Sequence, residues 1–239
     1  MNETRTSYTL ISGALIVCAS IIGLLYYAAQ GRNTKDTLSV TGSAKTQVTS
    51  DQASLRVSLS RVATVNQLSS GYTEVARDLV LTRDMLRKEG VQDADISEST
   101  VSMNQIYDQN SSAPTRYELR QSITVQSKDV QKITAISKKI PSLSSQGVII
   151  SIDFLQYYYS KLPDLRVSLL SDAVKDAKSR AEKIAEGTGR AVGSIQSASS
   201  GVVQVLPVNS VEVSDYGSYD TSSIEKDVMV TVKASFRLR

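Results

Sequence analysis

The longest uninterrupted apolar run covers residues 10–29, LISGALIVCASIIGLLYYAA, twenty positions without a charge between Arg5 and Arg32. At 1.5 Å per residue a helix of that length spans about 30 Å, the hydrocarbon thickness of a bilayer. It reads as an uncleaved transmembrane anchor, with Leu10, Leu15, Ile16, Ile21 and Leu25 as its apolar body and Tyr26 and Tyr27 as interfacial aromatics. A removable leader would have a shorter core and a small-residue exit, whereas Tyr27-Ala28-Ala29 puts a bulky ring in that place. Residues 1–9 are then a short tail and residues 30–36 a polar linker.

From residue 37 the pattern changes to alternation. Leu38 and Val40 open one strand; Ala53, Leu55, Val57 and Leu59, set against Ser54, Arg56, Ser58 and Ser60, predict a second with one buried face. The period becomes helical over 66–89, with Leu68, Tyr72, Val75, Leu79 and Leu86 on one side and Gly90 at the stop. Residues 96–107 and 117–127 read as a hairpin around a turn-rich loop, 129–140 as a shorter helix ended by Pro141, and 148–158 as an apolar strand. Counted from Asp51, the order is strand, helix, strand, strand, helix, strand, that of split βαβ layers.

The chain is organised around the helix predicted for 162–189. Leu165, Leu169, Ala173, Ala177 and Ile184 fall on one side, widened by Leu170, Val174, Ala181 and Ala185. Pro163 and Asp164 suit its start, and Gly187 and Gly189 its end. Two further strands follow at 191–206 and 225–239, separated by a polar loop at 207–223. The last alternates Val228, Val230, Val232, Ala234, Phe236 and Leu238 with polar partners, which suits a strand pinned in a sheet. The expected fold is therefore α+β: a mixed, mainly antiparallel sheet layered with helices, in ferredoxin-like βαββαβ order followed by a long helix and two strands. One domain over 37–239 would hold all of it, preceded by the transmembrane helix.

Composition removes function classes. The chain has 239 residues, 41% apolar and 21% charged, which is ordinary globular usage. Its charge of +3 is the difference between 27 basic and 24 acidic residues, and no basic run occurs, so nucleic acid is not an expected partner. There is no histidine, which excludes Ser-His-Asp and Cys-His catalysis and imidazole metal sites. The one cysteine, Cys18, lies in the anchor. No calcium-loop spacing appears. Neither a cofactor nor an enzymatic activity is expected.

Four features are candidates. Asp176 and Arg180 stand four apart on the long helix, either as solvated helical ion pairs with their neighbours or as a fixture to a neighbouring strand or subunit. Gly187-Thr188-Gly189 with Gly193 closes a helix rather than opening one, which makes it a helix stop and not a phosphate loop. Tyr157, Tyr158 and Tyr159 alternate across a strand, serving the core on one face and either solvent or a subunit interface on the other. The loop at 207–223, with Tyr216 and Tyr219, is either a partner-contacting element or a merely mobile one.

The ordered segments resemble a family, the bacterial SIMPL-domain proteins, which include periplasmic and outer-membrane immunogenic proteins. The resemblance runs from Leu38 onward. It begins with LSVTGSAKTQVTSDQASLRVSLS, similar to the family's V-x-G-x-G opening and two strands, and continues through KEGVQDADISESTVSMNQIYD and YELRQSITVQSKDVQKI. It is strongest at LLSDAVKDAKSRAEKIAEGTGRAVGSI, in Asp176-Ala177, Arg180-Ala181 and the Gly187 to Gly193 exit. Two departures are Ser43 in place of an opening glycine and Ser50-Asp51 where the family usually has a proline. The resemblance implies an α+β domain exported across the inner membrane, ring-like homo-oligomers in some members, and cellular roles in oxidative stress and envelope integrity without a settled enzymatic activity. The count of basic residues near the anchor mildly favours a cytoplasmic domain; the family implies the periplasm or the outside of the cell, and that reading is adopted. The expected function is a membrane-anchored, non-enzymatic, self-assembling envelope scaffold, with an envelope protein as a further partner. The alternatives are an envelope-stress accessory protein with ligand-binding or weak enzymatic activity, and an adaptor for a signalling partner.

Overall fold

The structure, a computed structural model, describes residues 18–27, 36–107, 114–210 and 214–239. Residues 18–27 are helical and exposed. Ile21, Leu25, Tyr26 and Tyr27 lie in this stretch, whereas Leu10, Leu15 and Ile16 lie outside the described residues. Among the described residues no helix is long and apolar enough to cross a membrane.

The elements in chain order are β1 (Thr37–Thr49), β2 (Gln52–Thr64), α1 (Leu68–Lys88), β3 (Ile96–Glu98), β4 (Ser102–Ile106), β5 (Arg116–Ser127), α2 (Val130–Lys139), β6 (Ile150–Tyr158), α3 (Leu162–Glu186), β7 (Val192–Pro207), β8 (Ser218–Tyr219) and β9 (Glu225–Leu238). They form an α+β fold with two sheets, of order β3-β5-β2-β6, with β4 also paired to β5, and β1-β9-β7-β8. The described residues divide into two compact units, and β1, α3, β7 and β9 contribute to both.

The larger unit holds Lys45–Arg166 and Val203–Met229. Here β2 is central, antiparallel to β5 from Ala53↔Ser127 to Thr64↔Arg116 and antiparallel to β6 from Gln52↔Tyr158 to Leu59↔Ile150. With β4 on the far side of β5, this is the spatial order that the split βαβ reading predicts. The buried face carries Ala53, Leu55, Val57 and Leu59, which cluster with Leu86, Ile123, Ile133 and Ile136. Each large aliphatic side chain buried this way contributes about 1.5–3 kcal/mol.

Helix α1 buries Val75 and Leu86 and packs Leu79 against the core, as its apolar residues suggest, but it departs from that stripe at Tyr72. Gly71, Val75, Asp78, Thr82 and Leu86 are buried, while Tyr72 is 42% exposed. The cause lies on β2, where alternation carries Arg61 to the core side. Its Nε donates to Asp78 Oδ2 at 2.7 Å, so a fully buried carboxylate joins the inward face beside Val75 and Leu86.

The smaller unit combines the described residues up to Ala44 with Val167–Val202 and Val230–Arg239. On α3 the buried residues are Leu169, Ala173, Ala177, Ala181 and Ala185, a ridge one residue wide in steps of four. Of these, Ala173, Ala177 and Ala181 cluster with Val40, Val232, Ala234 and Phe236. Ile184, expected in the stripe, is 50% exposed. Small alanines let the sheet come close along one ridge, and a side chain off that ridge stays outside. Strand β9 lies between β1 and β7.

Candidate functional site

The Asp176 carboxylate is engaged within its own chain. Its Oδ2 accepts the Ser43 backbone N–H at 2.7 Å and Arg180 Nε at 2.8 Å. Beside it, a Cβ on Gly42 would stand 2.2 Å from the Ala173 carbonyl oxygen, so only glycine lets β1 lie this close to α3. The geometry holds both readings of this pair at once, a helical ion pair four residues apart and a contact from Asp176 to β1.

The tyrosines separate by face. Tyr157 is buried, and its hydroxyl lies 2.9 Å from Thr134 Oγ1. Tyr158 points the other way, donates to Gln156 Oε1 at 2.7 Å, and its ring centroid is 6.2 Å from that of Tyr219. Burial pushes the Tyr219 phenol up, against a backbone hydrogen bond from Tyr159. Tyr216 is 96% exposed. The structure thus gathers Tyr158, Tyr159 and Tyr219; Asp176 and Arg180 belong to the other unit.

The segment after Tyr219 is held by a buried cation that sequence reasoning missed. Lys226, an inward-facing position of β9, is fully buried, and its Nζ donates to the carbonyls of Asp220 at 2.7 Å and Ser223 at 2.6 Å and to Asp220 Oδ2 at 3.2 Å. Asp220 also accepts from the N–H and hydroxyl of Ser222 and from those of Ser223. Burial opposes its charge, but the Ser222 and Ser223 hydrogen bonds and Lys226 outweigh that and hold the carboxyl well below the usual range. Burial lowers Lys226 in turn, partly offset by Asp220.

On the polar face of β2, β5 and β6 a bulge redirects one carboxylate. The register of β2 with β6 shifts between Arg56 and Val57, which pair with Phe154 and Ile152, so Asp153 is the extra residue. Asp153 accepts Arg120 Nη2 at 2.6 Å and Ser58 Oγ at 2.5 Å. Arg56 stands farther off, its Nε 3.9 Å from Asp153 Oδ2, and that buried Nε has no hydrogen-bond partner among the described residues. Asp153 is the one charged residue in VIISIDFLQYYY, a signal the sequence held but whose partners depend on register. A pocket of about 850 Å³ lies alongside, lined among others by Ser54, Arg56, Thr124, Gln156 and Tyr158.

In the smaller unit β7 is an open edge. Strand β8 pairs with it only at Gln204 and Val205, and among the described residues no strand lies beside 192–202 on the side away from β9. Residues 194–202 are exposed throughout, Ile195 and Val202 among them. No charge or proline occurs from Val192 to Leu206, although such residues are the usual protection of a free edge.

The chain belongs to the SIMPL family, described as a protein of unknown function (DUF541), which it matches over residues 38–236. The comparison with curated proteins gives no match. The family's range begins in β1 and ends in β9, and it includes Gly42, Asp176 and Ala177, the residues that bring β1 against α3.

Proposed function

We propose that the chain is a membrane-anchored, non-enzymatic scaffold of the bacterial cell envelope that assembles with copies of itself outside the cytoplasm, using the β7 edge as its seam. The observation that carries this reading is the unprotected edge at 194–202, which has no neighbouring strand on that side among the described residues and is exposed on both faces and uncharged. A second copy suits it because two such edges paired antiparallel bring only small or neutral side chains opposite one another, with no like-charge penalty. The apolar run at 10–29 supports the anchor, and together with family membership it supports an extracytoplasmic site.

Light scattering on the full chain in detergent, beside a version beginning at Asn33, tests the reading. A discrete assembly in both is expected. Ser197→Lys combined with Ser199→Lys places charges on the seam and should weaken association at least tenfold, about 1.4 kcal/mol, without lowering the melting temperature. A monomer in both would overturn self-assembly; an assembly indifferent to the two lysines would move the seam elsewhere.

A further inference from the structure

We propose that the pocket beside Arg56 in the larger unit binds a small organic anion through a carboxylate or phosphate group. The inference stands on what the β6 bulge does to charge. It directs Asp153 to Arg120 at 2.6 Å and to Ser58 at 2.5 Å, and leaves Arg56 at 3.9 Å with a buried, unpartnered Nε. The remaining contact of the Arg56 guanidinium is a long one, 3.4 Å from Nη2 to Ser122 Oγ. The Nε itself is covered, but the side chain is 42% exposed and lines the pocket, so its terminal nitrogens can meet the oxygens of an anionic group.

The rest of the wall agrees in sign. Its charged residues are Arg56, Lys128 and Lys132 against Asp95 and Asp129. Asp129 is already committed, for its Oδ1 accepts the Lys132 N–H at 2.9 Å as the cap of α2 and its Oδ2 lies 3.9 Å from Lys132 Nζ. One positive charge is therefore left over, and Arg56 is the cation in the sheet floor. A volume of about 850 Å³ exceeds the need of a bare ion and falls in the range of sites for small organic molecules. Ser54, Thr124, Gln126 and Gln156 offer hydrogen bonds to the body of such a ligand, and Phe154 a flat apolar surface.

The test is calorimetric titration of the full-length chain in detergent with succinate and, separately, glycerol 3-phosphate. Saturable millimolar binding of either is expected, the arm that binds telling carboxylate from phosphate. Arg56→Gln should weaken it at least tenfold, and Arg56→Lys, which keeps the charge but not the fork, by less. Lys178→Gln, on the exposed side of α3, should leave it unchanged. Should Arg56→Gln fail to fold, Thr124→Glu serves instead, since Thr124 is directly opposite Arg56 and a glutamate there supplies an internal carboxylate that abolishes binding. No saturable binding of either probe, or equal binding by the parent and the position-56 and position-124 variants, would overturn the proposal.

Discussion

At Gly42 a Cβ would meet helix backbone on two sides, 2.2 Å from Ala173 O and 2.3 Å from Ala177 N, and neither atom can rotate away. Gly42→Ala must therefore push β1 off α3, and the expected loss is about 3 kcal/mol, the upper end for overpacking. Asp176→Ala acts at the same contact through a different loss: the Ser43 N–H keeps its place but has no acceptor, which costs about 1–2 kcal/mol. Arg180 is an exposed helical partner four residues on, and Arg180→Ala should cost under about 0.5 kcal/mol. Urea denaturation of the three variants measures this order. Equal losses at Asp176 and Arg180 would mean that the ion pair, rather than the strand's N–H, is what the carboxylate serves.

At the scale of an element, the turn from Asp220 to Lys226 depends on its carboxylate staying charged. The folded Asp220 carboxyl sits below its ordinary 3.8, so the folded state binds fewer protons than the unfolded chain as pH falls past that value. Its stabilisation is therefore complete at neutral pH and is lost as pH falls through the folded value. The melting temperature should be flat from about pH 7 to 5 and decline below about 4, and Asp220→Asn should be less stable at neutral pH with a shallower acid decline. An unchanged acid slope in the variant would assign the decline to other lowered carboxyls, Asp51, Asp93 and Asp227. This turn also marks where sequence patterning stops being informative. Alternation along β9 was legible from Val228 onward because apolar residues point inward, but Lys226 also points inward, and no hydropathy pattern assigns a lysine to the core. Arg61 and Asp78 repeat the lesson: each is unreadable alone, because their meeting across β2 and α1, with Arg77 as a second partner of Asp78 and Glu74 of Arg61, makes the burial tolerable. The main elements and the order of the βαββαβ strands could be read because burial of apolar faces sets them; the separate β1-β9-β7-β8 sheet and the polar contacts could not, because they depend on long-range pairing, on register and on the Asp153 bulge.

For the whole molecule, the two units differ in how their parts are spread along the chain. The core of the larger one is gathered from Ala53 to Tyr157, with Ile224 alongside. The smaller one is assembled from β1, α3, β7 and the end of β9, and β9 lies between β1 and β7. Removing residues 230–239 deprives β1 and β7 of their common neighbour and takes Val232, Ala234 and Phe236 from the alanine ridge of α3. Without them the helix has too little apolar surface to bury to offset its ordering entropy. The truncated chain should retain a cooperative urea transition and slow hydrogen exchange in β2 and β5, while amides of α3 exchange rapidly. Slow exchange surviving in α3 would mean that something other than β9 holds the helix. Loss of protection in β2 as well would mean that the larger unit, despite its continuous core, folds only with the last ten residues in place.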